Sequence, residues 1–212
     1  MHHVEGTDKQ KGEKVTVKEM KVRLTFTEEI LGTASNSKEI HAEYIASKAP
    51  DAPSREEEIE AVGVEEVIEK GMTVFPRNAE GKPILFDYQI KGFFKNAAKA
   101  YNYIKKIPAY KSKIDNLVFV KERMIELQLP EGQEIGNCQR PLRASTAQGE
   151  RVALANSESC PAGTVIEFTI MVMLDELMAN VIEWLDYGAL NGIGQWHNSG
   201  KGRFQWTDIS DN

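Results

Sequence analysis

The chain has 212 residues, of which 41% are hydrophobic and 27% are charged. This composition fits one globular domain with a sizeable core and argues against disorder of the whole chain. The formal net charge of -6 argues against a protein that coats nucleic acid over its entire surface, although it is compatible with a local basic strip.

The composition also limits cofactors and location. Cys138 and Cys160 lie outside any CxxC motif or Cys/His cluster, so we expect two free thiols, no metal site and no cofactor. No apolar run approaches the roughly 18 residues that span a bilayer, and the polar first residues do not form a secretory signal. We therefore expect a cytoplasmic protein without a membrane partner, with a flexible leader over 1–14 and a single domain over 15–212.

The first predicted element is a long half-buried strand in VTVKEMKVRLTFTEEIL. Apolar residues alternate with polar ones there, apart from one slip, which is the period of a strand with one buried face: Val15, Val17, Met20, Val22, Leu24 and Phe26. An acidic insertion follows at about 50–71. Its glutamates lie opposite a few apolar residues, so it is predicted to form a short surface helix.

The next predicted element is a helix that begins at about Tyr88 and ends at Pro108. Helical spacing predicts a buried stripe made of Ile90, Phe93, Phe94, Ala97, Ala98, Tyr101 and Ile104. Lys91, Lys95 and Lys99 stand one turn apart on another face. These lysines form either a solvated face or a track for phosphates.

The residue patterns in the second half of the chain predict several strands, a helix and a last strand. Strand patterns at LVFVKERMIELQLP and TVIEFTIMVM flank a hairpin insertion at about 130–162 that contains Arg140 and Arg143. The helix DELMANVIEWLDYGAL, a glycine-rich loop and the strand FQWTDI complete the chain. The order strand, helix, strands, helix, strand predicts an α+β fold: a ferredoxin-like, or RRM-like, βαββαβ domain with insertions.

Three blocks carry a family resemblance. They are KVRLTFTEEILGTASN, then PILFDYQIKGFFKNAAK, and finally the pair ESCPAGTVIEFTIMVM and LNGIGQWHNSGKGRF. In this order they resemble the RAMP superfamily of CRISPR-associated proteins, especially the repeated backbone subunit of type III effector complexes. The resemblance implies a single-stranded or guide RNA as partner, together with head-to-tail self-assembly or contact with other effector subunits.

The glycine-rich loop has two interpretations. Gly192, Gly194, Gly200 and Gly202 could let the backbone approach a phosphate and hold it in a nest of N–H groups, or they could only allow a tight connection. In the first case Lys201 and Arg203 would add positive charge, and Trp196 or His197 would stack on a base. Together with the lysine helix and the arginine hairpin, the sequence favours the RNA-binding interpretation.

Two other functions stay open. Some members of the family cleave RNA with an aspartate after the first strand, and the weak candidates for that role here are Asp51 and His41, so a metal-dependent endoribonuclease is the weaker alternative. The overall acidity favours a stand-alone protein, for instance a viral one, that interferes with a CRISPR or other nucleic-acid defence system. We expect catalysis to be absent or minor.

Overall fold

The computed structural model describes residues 16–35, 72–146 and 149–210, with the backbone alone at 35, 142–146 and 149–154. The whole predicted leader over 1–14, the acidic insertion at about 50–71, His41 and Asp51 therefore lie outside the described residues. The elements, in chain order, are β1 (Lys18–Phe26), β2 (Ile30–Leu31), β3 (Ala34–Ser35), β4 (Thr73–Val74), β5 (Ile84–Phe86), α1 (Asp87–Tyr101), α2 (Tyr110–Leu117), β6 (Val118–Val120), β7 (Met124–Glu126), β8 (Gly136–Thr146), β9 (Gly149–Cys160), β10 (Val165–Val172), α3 (Asp175–Asp186) and β11 (Phe204–Asp208).

The main sheet has the strand order β11-β1-β10-β6, and each neighbouring pair is antiparallel. Helix α1 lies between β1 and β6 in the chain, and α3 lies between β10 and β11. This order confirms the predicted ferredoxin-like fold. Within β1, Met20, Val22, Leu24 and Phe26 are buried and the residues between them are exposed, as the period of two predicts. Val17 departs from the prediction, because it precedes the slip in the pattern and is 46% exposed.

Helix α1 buries Ile90, Phe93, Phe94, Ala97 and Ala98, which confirms most of the predicted stripe. The helix ends at Tyr101, however, and not at Pro108. The side chain of Asn102 accepts a hydrogen bond from the N–H of Ile107 at 3.0 Å. This contact closes a turn in place of a further helical turn.

Ile104 was predicted in the buried stripe and is 85% exposed, because it lies in that turn, beyond the last residue of α1. The short helix α2 that follows was not predicted. Pro108 stands just before it and Ala109, with φ 53°, is its N-cap. A non-glycine residue with positive φ is not a signal that sequence patterns reveal.

The core packs aromatic rings from both helices against the last strand. Phe94 and Trp184 lie 6.0 Å apart between ring centroids, and Phe93 and Phe204 lie 5.2 Å apart. Trp184 belongs to the buried side of α3, as its spacing predicts. Helices α1 and α3 therefore meet over β11, next to the loop that follows α3.

A second sheet contains β2, β9, β4 and β3 in this order, with β8 paired to β9. Strands β8 and β9 form the predicted hairpin, paired from Gly136 with Ser159 to Thr146 with Gly149. Near its base, β9 also pairs with β2 through Cys160 and Ile30. In the part of the chain that the structure describes, no helix is long and apolar enough to cross a membrane.

Candidate nucleic-acid interface

The glycine-rich loop between α3 and β11 lies against β2 and the base of the hairpin. The N–H of Gly202 donates to the carbonyl of Glu29 at 2.8 Å, just before β2. The side-chain amide of Gln195 donates to the carbonyl of Gly32 at 3.0 Å and to the hydroxyl of Thr73 at 3.3 Å. The loop therefore contacts the region where the main sheet passes into the second sheet.

Two of the four predicted glycines bring the two limbs of the loop together. A Cβ on Gly192 would lie 2.2 Å from the carbonyl carbon of Gly202, and a Cβ on Gly202 would lie 2.0 Å from the carbonyl oxygen of Ile193. The N–H of Ile193 donates to the carbonyl of Gly202 at 3.0 Å. At Gly192 and Gly202, glycine is needed because the chain packs closely against itself. This supports the interpretation of these two glycines as a tight connection.

The other two glycines have no such close contact. Gly194 and Gly200 have φ values of 91° and 90°, and a Cβ at either would meet no heavy atom closer than 3.4 Å. Gly200 lies beside the guanidinium group of Arg203. Contact within the chain therefore does not explain glycine at these two positions, where positive φ is the remaining reason, and of the two only Gly194 is partly exposed.

The centre of the site is a stacked pair formed by Arg140 of the hairpin and Trp196 of the loop. The guanidinium carbon of Arg140 lies 3.8 Å from the centroid of the Trp196 ring. Arg140 is only 6% exposed, and its Nη2 donates to the hydroxyl of Ser157 at 3.1 Å. Such a desolvated cation over an indole is a stabilising arrangement worth about 2 kcal/mol.

The backbone of Trp196 has an uncommon conformation for a non-glycine residue. Its φ is 58° and its ψ is 24°, in the left-handed region, which costs on the order of 1–3 kcal/mol and is often found at functional sites. The carbonyl of Trp196 accepts hydrogen bonds from the N–H groups of Ser199 and Lys201. Trp196, His197, Asn198 and Ser199 line a shallow surface pocket.

Lys201 and Glu29 form an ion pair beside this stack. The hydrogen bond to Glu29 raises the pKa of Lys201. Burial disfavours the charged form of Glu29, but hydrogen bonding to Lys201 and its positive charge outweigh burial, and the pKa of Glu29 is lowered. Lys201 is therefore charged, and Glu29 partly neutralises it.

The predicted lysine track contacts α2 and not the glycine-rich loop. The ammonium group of Lys91 donates to the carbonyl of Asp115 at 3.0 Å, and Lys95 forms an ion pair with the Asp115 carboxylate at 2.6 Å. Burial lowers the pKa of Lys91, and Lys99 is exposed. The structure therefore brings Arg140, Trp196, Lys201 and the loop together, but it places the lysines on a separate surface.

The open face of the main sheet carries charged side chains on its central strand. Arg23 and Glu167 form an ion pair at 2.7 Å, and Lys121 of the β6 side pairs with Glu19 at 3.2 Å. RRM domains bind RNA through aromatic rings on this face. The described positions of β1 offer no such ring there, because Lys21, Arg23 and Thr25 alternate with the buried residues.

Sequence reasoning missed Glu29, Ser157 and Gln195. Each lies in a different segment, and only the pairing of β2 with β9 and the return of the loop onto them bring these segments together. No local motif marks them. Arg143 lies opposite Val152 in the hairpin, within the part for which the backbone alone is described.

The architecture is therefore a ferredoxin-like α+β domain with a long hairpin and a glycine-rich loop that meet at a buried arginine. No family model and no curated protein matches the chain. Its fold is similar to a chain in the cryo-EM structure of the type III-B Cmr-beta complex bound to cognate target RNA, with a TM-score of 0.57 and 10% identity over 90% of this chain and 59% of that chain. A chain of a type IV-B CRISPR complex is also similar, with a TM-score of 0.46 and 10% identity over 92% of this chain and 91% of that chain.

The first similarity shows the fold, which this chain shares with a chain of the type III-B Cmr-beta complex. The chain spans 59% of the length of the Cmr-beta chain that it matches.

Proposed function

We propose that this protein is an RNA-binding, RAMP-like subunit of a CRISPR-type effector complex that tracks guide RNA. The observation that carries the proposal is the contact between Arg140 and Trp196, where the hairpin meets the glycine-rich loop. Single-stranded RNA is bound by positive groups that contact phosphates and by aromatic rings on which unstacked bases stack. Both kinds of group stand together here, on a fold that resembles a chain of an RNA-bound complex over 90% of this chain.

The charges of the site support a local RNA surface on an acidic protein. Arg140, Lys201 and Arg203 belong to the hairpin and the loop, whereas the net charge of the chain is -6. Because these three cations come from segments that meet at one junction, we expect binding to be local and not to coat the acidic protein. In a larger assembly, successive copies in head-to-tail contact would place these sites along one RNA strand.

The experiment compares two variants that each remove one ion-paired cation. Lys201→Gln changes the loop, and Arg23→Gln changes the open sheet face, where Arg23 pairs with Glu167. Binding of a fluorescently labelled single-stranded RNA is measured by anisotropy at several salt concentrations. We expect Lys201→Gln to weaken binding and to reduce the salt slope by about 0.7, and Arg23→Gln to match the wild type. Absence of RNA binding by the wild type, or equal effects of the two variants, contradicts the proposal.

The acidity of the chain favours a second candidate, a stand-alone protein that occupies the place of an effector subunit and interferes with the complex. The net charge of -6 opposes non-specific RNA binding at long range. Size-exclusion chromatography with and without RNA separates the two candidates. The effector subunit forms larger RNA-dependent assemblies, and the interfering protein keeps the same size.

A further inference from the structure

The guanidinium group of Arg140 has hydrogen-bond donors that no described residue pairs. Within the described part of the chain, its Nε and Nη1 are buried and have no hydrogen-bond partner. Nη2 alone donates, to Ser157. A buried charged donor without an acceptor loses its hydration without compensation, so the stack on Trp196 stabilises the cation but leaves two of its nitrogens unpaired.

Side chains alternate between the two faces of the hairpin, and this alternation determines which residues lie beside the guanidinium group of Arg140. Cys138 and Arg140 are two residues apart on β8, and Ser157 lies opposite Cys138 on β9. The three side chains therefore share one face of the hairpin. Burial lowers the pKa of Arg140, and the nearby Cys138 and Glu29 act in the opposite direction.

The carboxylates near this face do not supply the missing acceptors. Glu29 pairs with Lys201, and its charge also acts on Arg140. Glu28 is a second negative group near Lys201. Neither carboxylate accepts a hydrogen bond from Nε or Nη1 of Arg140, and an anion bound at this face would do so.

Trp196 covers the arginine from a strained backbone position. Its ring lies on the guanidinium at 3.8 Å, and the left-handed backbone of Trp196 stores strain that a rearrangement of the loop would release. The adjoining pocket at Trp196–Ser199 is open to solvent. A displaced indole would lie where it could stack on a base.

We propose that Arg140 is a phosphate-binding site that Trp196 covers in the free protein and uncovers on binding. The phosphate belongs either to a phosphodiester of single-stranded RNA, as the proposed function requires, or to free inorganic phosphate. In the RNA case Trp196 exchanges its contact with Arg140 for a contact with a base. Trp196 therefore lowers the affinity for free phosphate, which it blocks, and raises the affinity for RNA, on whose base it stacks.

The test measures inorganic phosphate by calorimetry and labelled single-stranded RNA by anisotropy, in the wild type, Trp196→Ala and Arg140→Gln. Trp196→Ala removes the cover, so phosphate affinity is expected to rise by about tenfold, while RNA affinity falls by about tenfold because stacking is lost. Arg140→Gln is expected to weaken both by about tenfold. Trp206→Ala serves as a tryptophan control, because Trp206 contacts Asp186 and not Arg140.

The outcomes separate this proposal from the proposed function. If folded Trp196→Ala binds phosphate no more tightly than the wild type, the pair is a structural stack and the phosphate site is wrong, even if the wild type binds RNA. If phosphate affinity rises in Trp196→Ala and falls in Arg140→Gln but the wild type does not bind RNA, Arg140 binds free phosphate. In that case the proposed function is wrong. Thermal melts establish that each variant is folded, and if Arg140→Gln is unfolded, Trp196→Ala still decides.

Discussion

Single residues determine whether the glycine-rich loop can close. Gly202 has φ 67° and no room for a Cβ, whereas Gly81 has φ 78° and no heavy atom within 4 Å of the same position. Both positions disfavour an alanine because of their φ values. Only Gly202 adds a collision with the backbone of Ile193, at 2.0 Å.

We therefore predict that Gly81→Ala lowers the free energy of unfolding by about 1 kcal/mol and that Gly202→Ala lowers it by about 3 kcal/mol or more. Denaturant titration of both variants measures the difference. Equal losses would show that positive φ alone explains Gly202 and that the two limbs of the loop are not in close contact.

The pair of Glu29 and Lys201 gives stability a defined dependence on pH. The pKa of Glu29 lies below its ordinary value of 4.5 in the folded protein, so the folded state favours the carboxylate. The stabilisation is present above pH 4.5 and is lost as the pH falls through the lowered pKa.

The variant Glu29→Gln is predicted to be less stable than the wild type at neutral pH by roughly 1 kcal/mol. This difference should shrink in acid, where the wild-type carboxylate is protonated as well. Chemical denaturation across the acidic range measures it. Glu80→Gln is the control, because Glu80 also pairs with a lysine, Lys82, but 71% of its side chain is exposed. A stability difference for Glu29→Gln that persists unchanged in strong acid would argue against the ion pair as its cause.

At the scale of elements, the open question is whether helix α1 contacts RNA. Asp115 of α2 engages both Lys91 and Lys95, so phosphate would have to compete with this carboxylate and carbonyl. The triple change Lys91→Ala, Lys95→Ala and Lys99→Ala is predicted to reduce the salt slope of RNA binding by about 0.7 for each phosphate contact that is lost.

The reverse change tests the same surface. Asp115→Asn removes the carboxylate that neutralises Lys95 and is therefore predicted to strengthen RNA binding. Anisotropy at several salt concentrations measures both variants. An unchanged slope in the triple variant, together with unchanged affinity in Asp115→Asn, would remove α1 from the RNA path.

Periodic elements could be predicted from the sequence, and contacts between distant segments could not. The period of two in β1 and the helical spacing in α1 and α3 follow from one buried face each, and turn residues mark the hairpin. Helix α2 is short and its N-cap, Ala109, has a positive φ, so its apolar pattern is too brief to recognise. The contact of Arg140 with Trp196 could not be predicted, although both residues were candidates, and Glu29 and Ser157 were missed, because these segments come together only through strand pairing and loop closure.

At the scale of the whole molecule, the fold offers two further surfaces on which RNA could lie, apart from the lysine surface of α1. One is the open face of the main sheet, where Phe119 of β6 is 36% exposed and the central strands carry paired charges. The other is the junction of the hairpin and the glycine-rich loop, where Trp196 covers Arg140. Our account places RNA at the junction, because the unpaired donors of Arg140 and the half-buried rings of Trp196 and His197 occur together there.

Ultraviolet cross-linking of the protein to single-stranded RNA, followed by mass spectrometry of the linked peptides, tests this placement most directly. Zero-length cross-links form where a base stacks on an aromatic side chain. The account predicts that the linked peptide contains Trp196 and His197. Cross-links confined to Phe119, with none in the glycine-rich loop, would show that RNA lies at β6, where Lys91 is 5.0 Å from the Phe119 ring centroid, and would contradict the account.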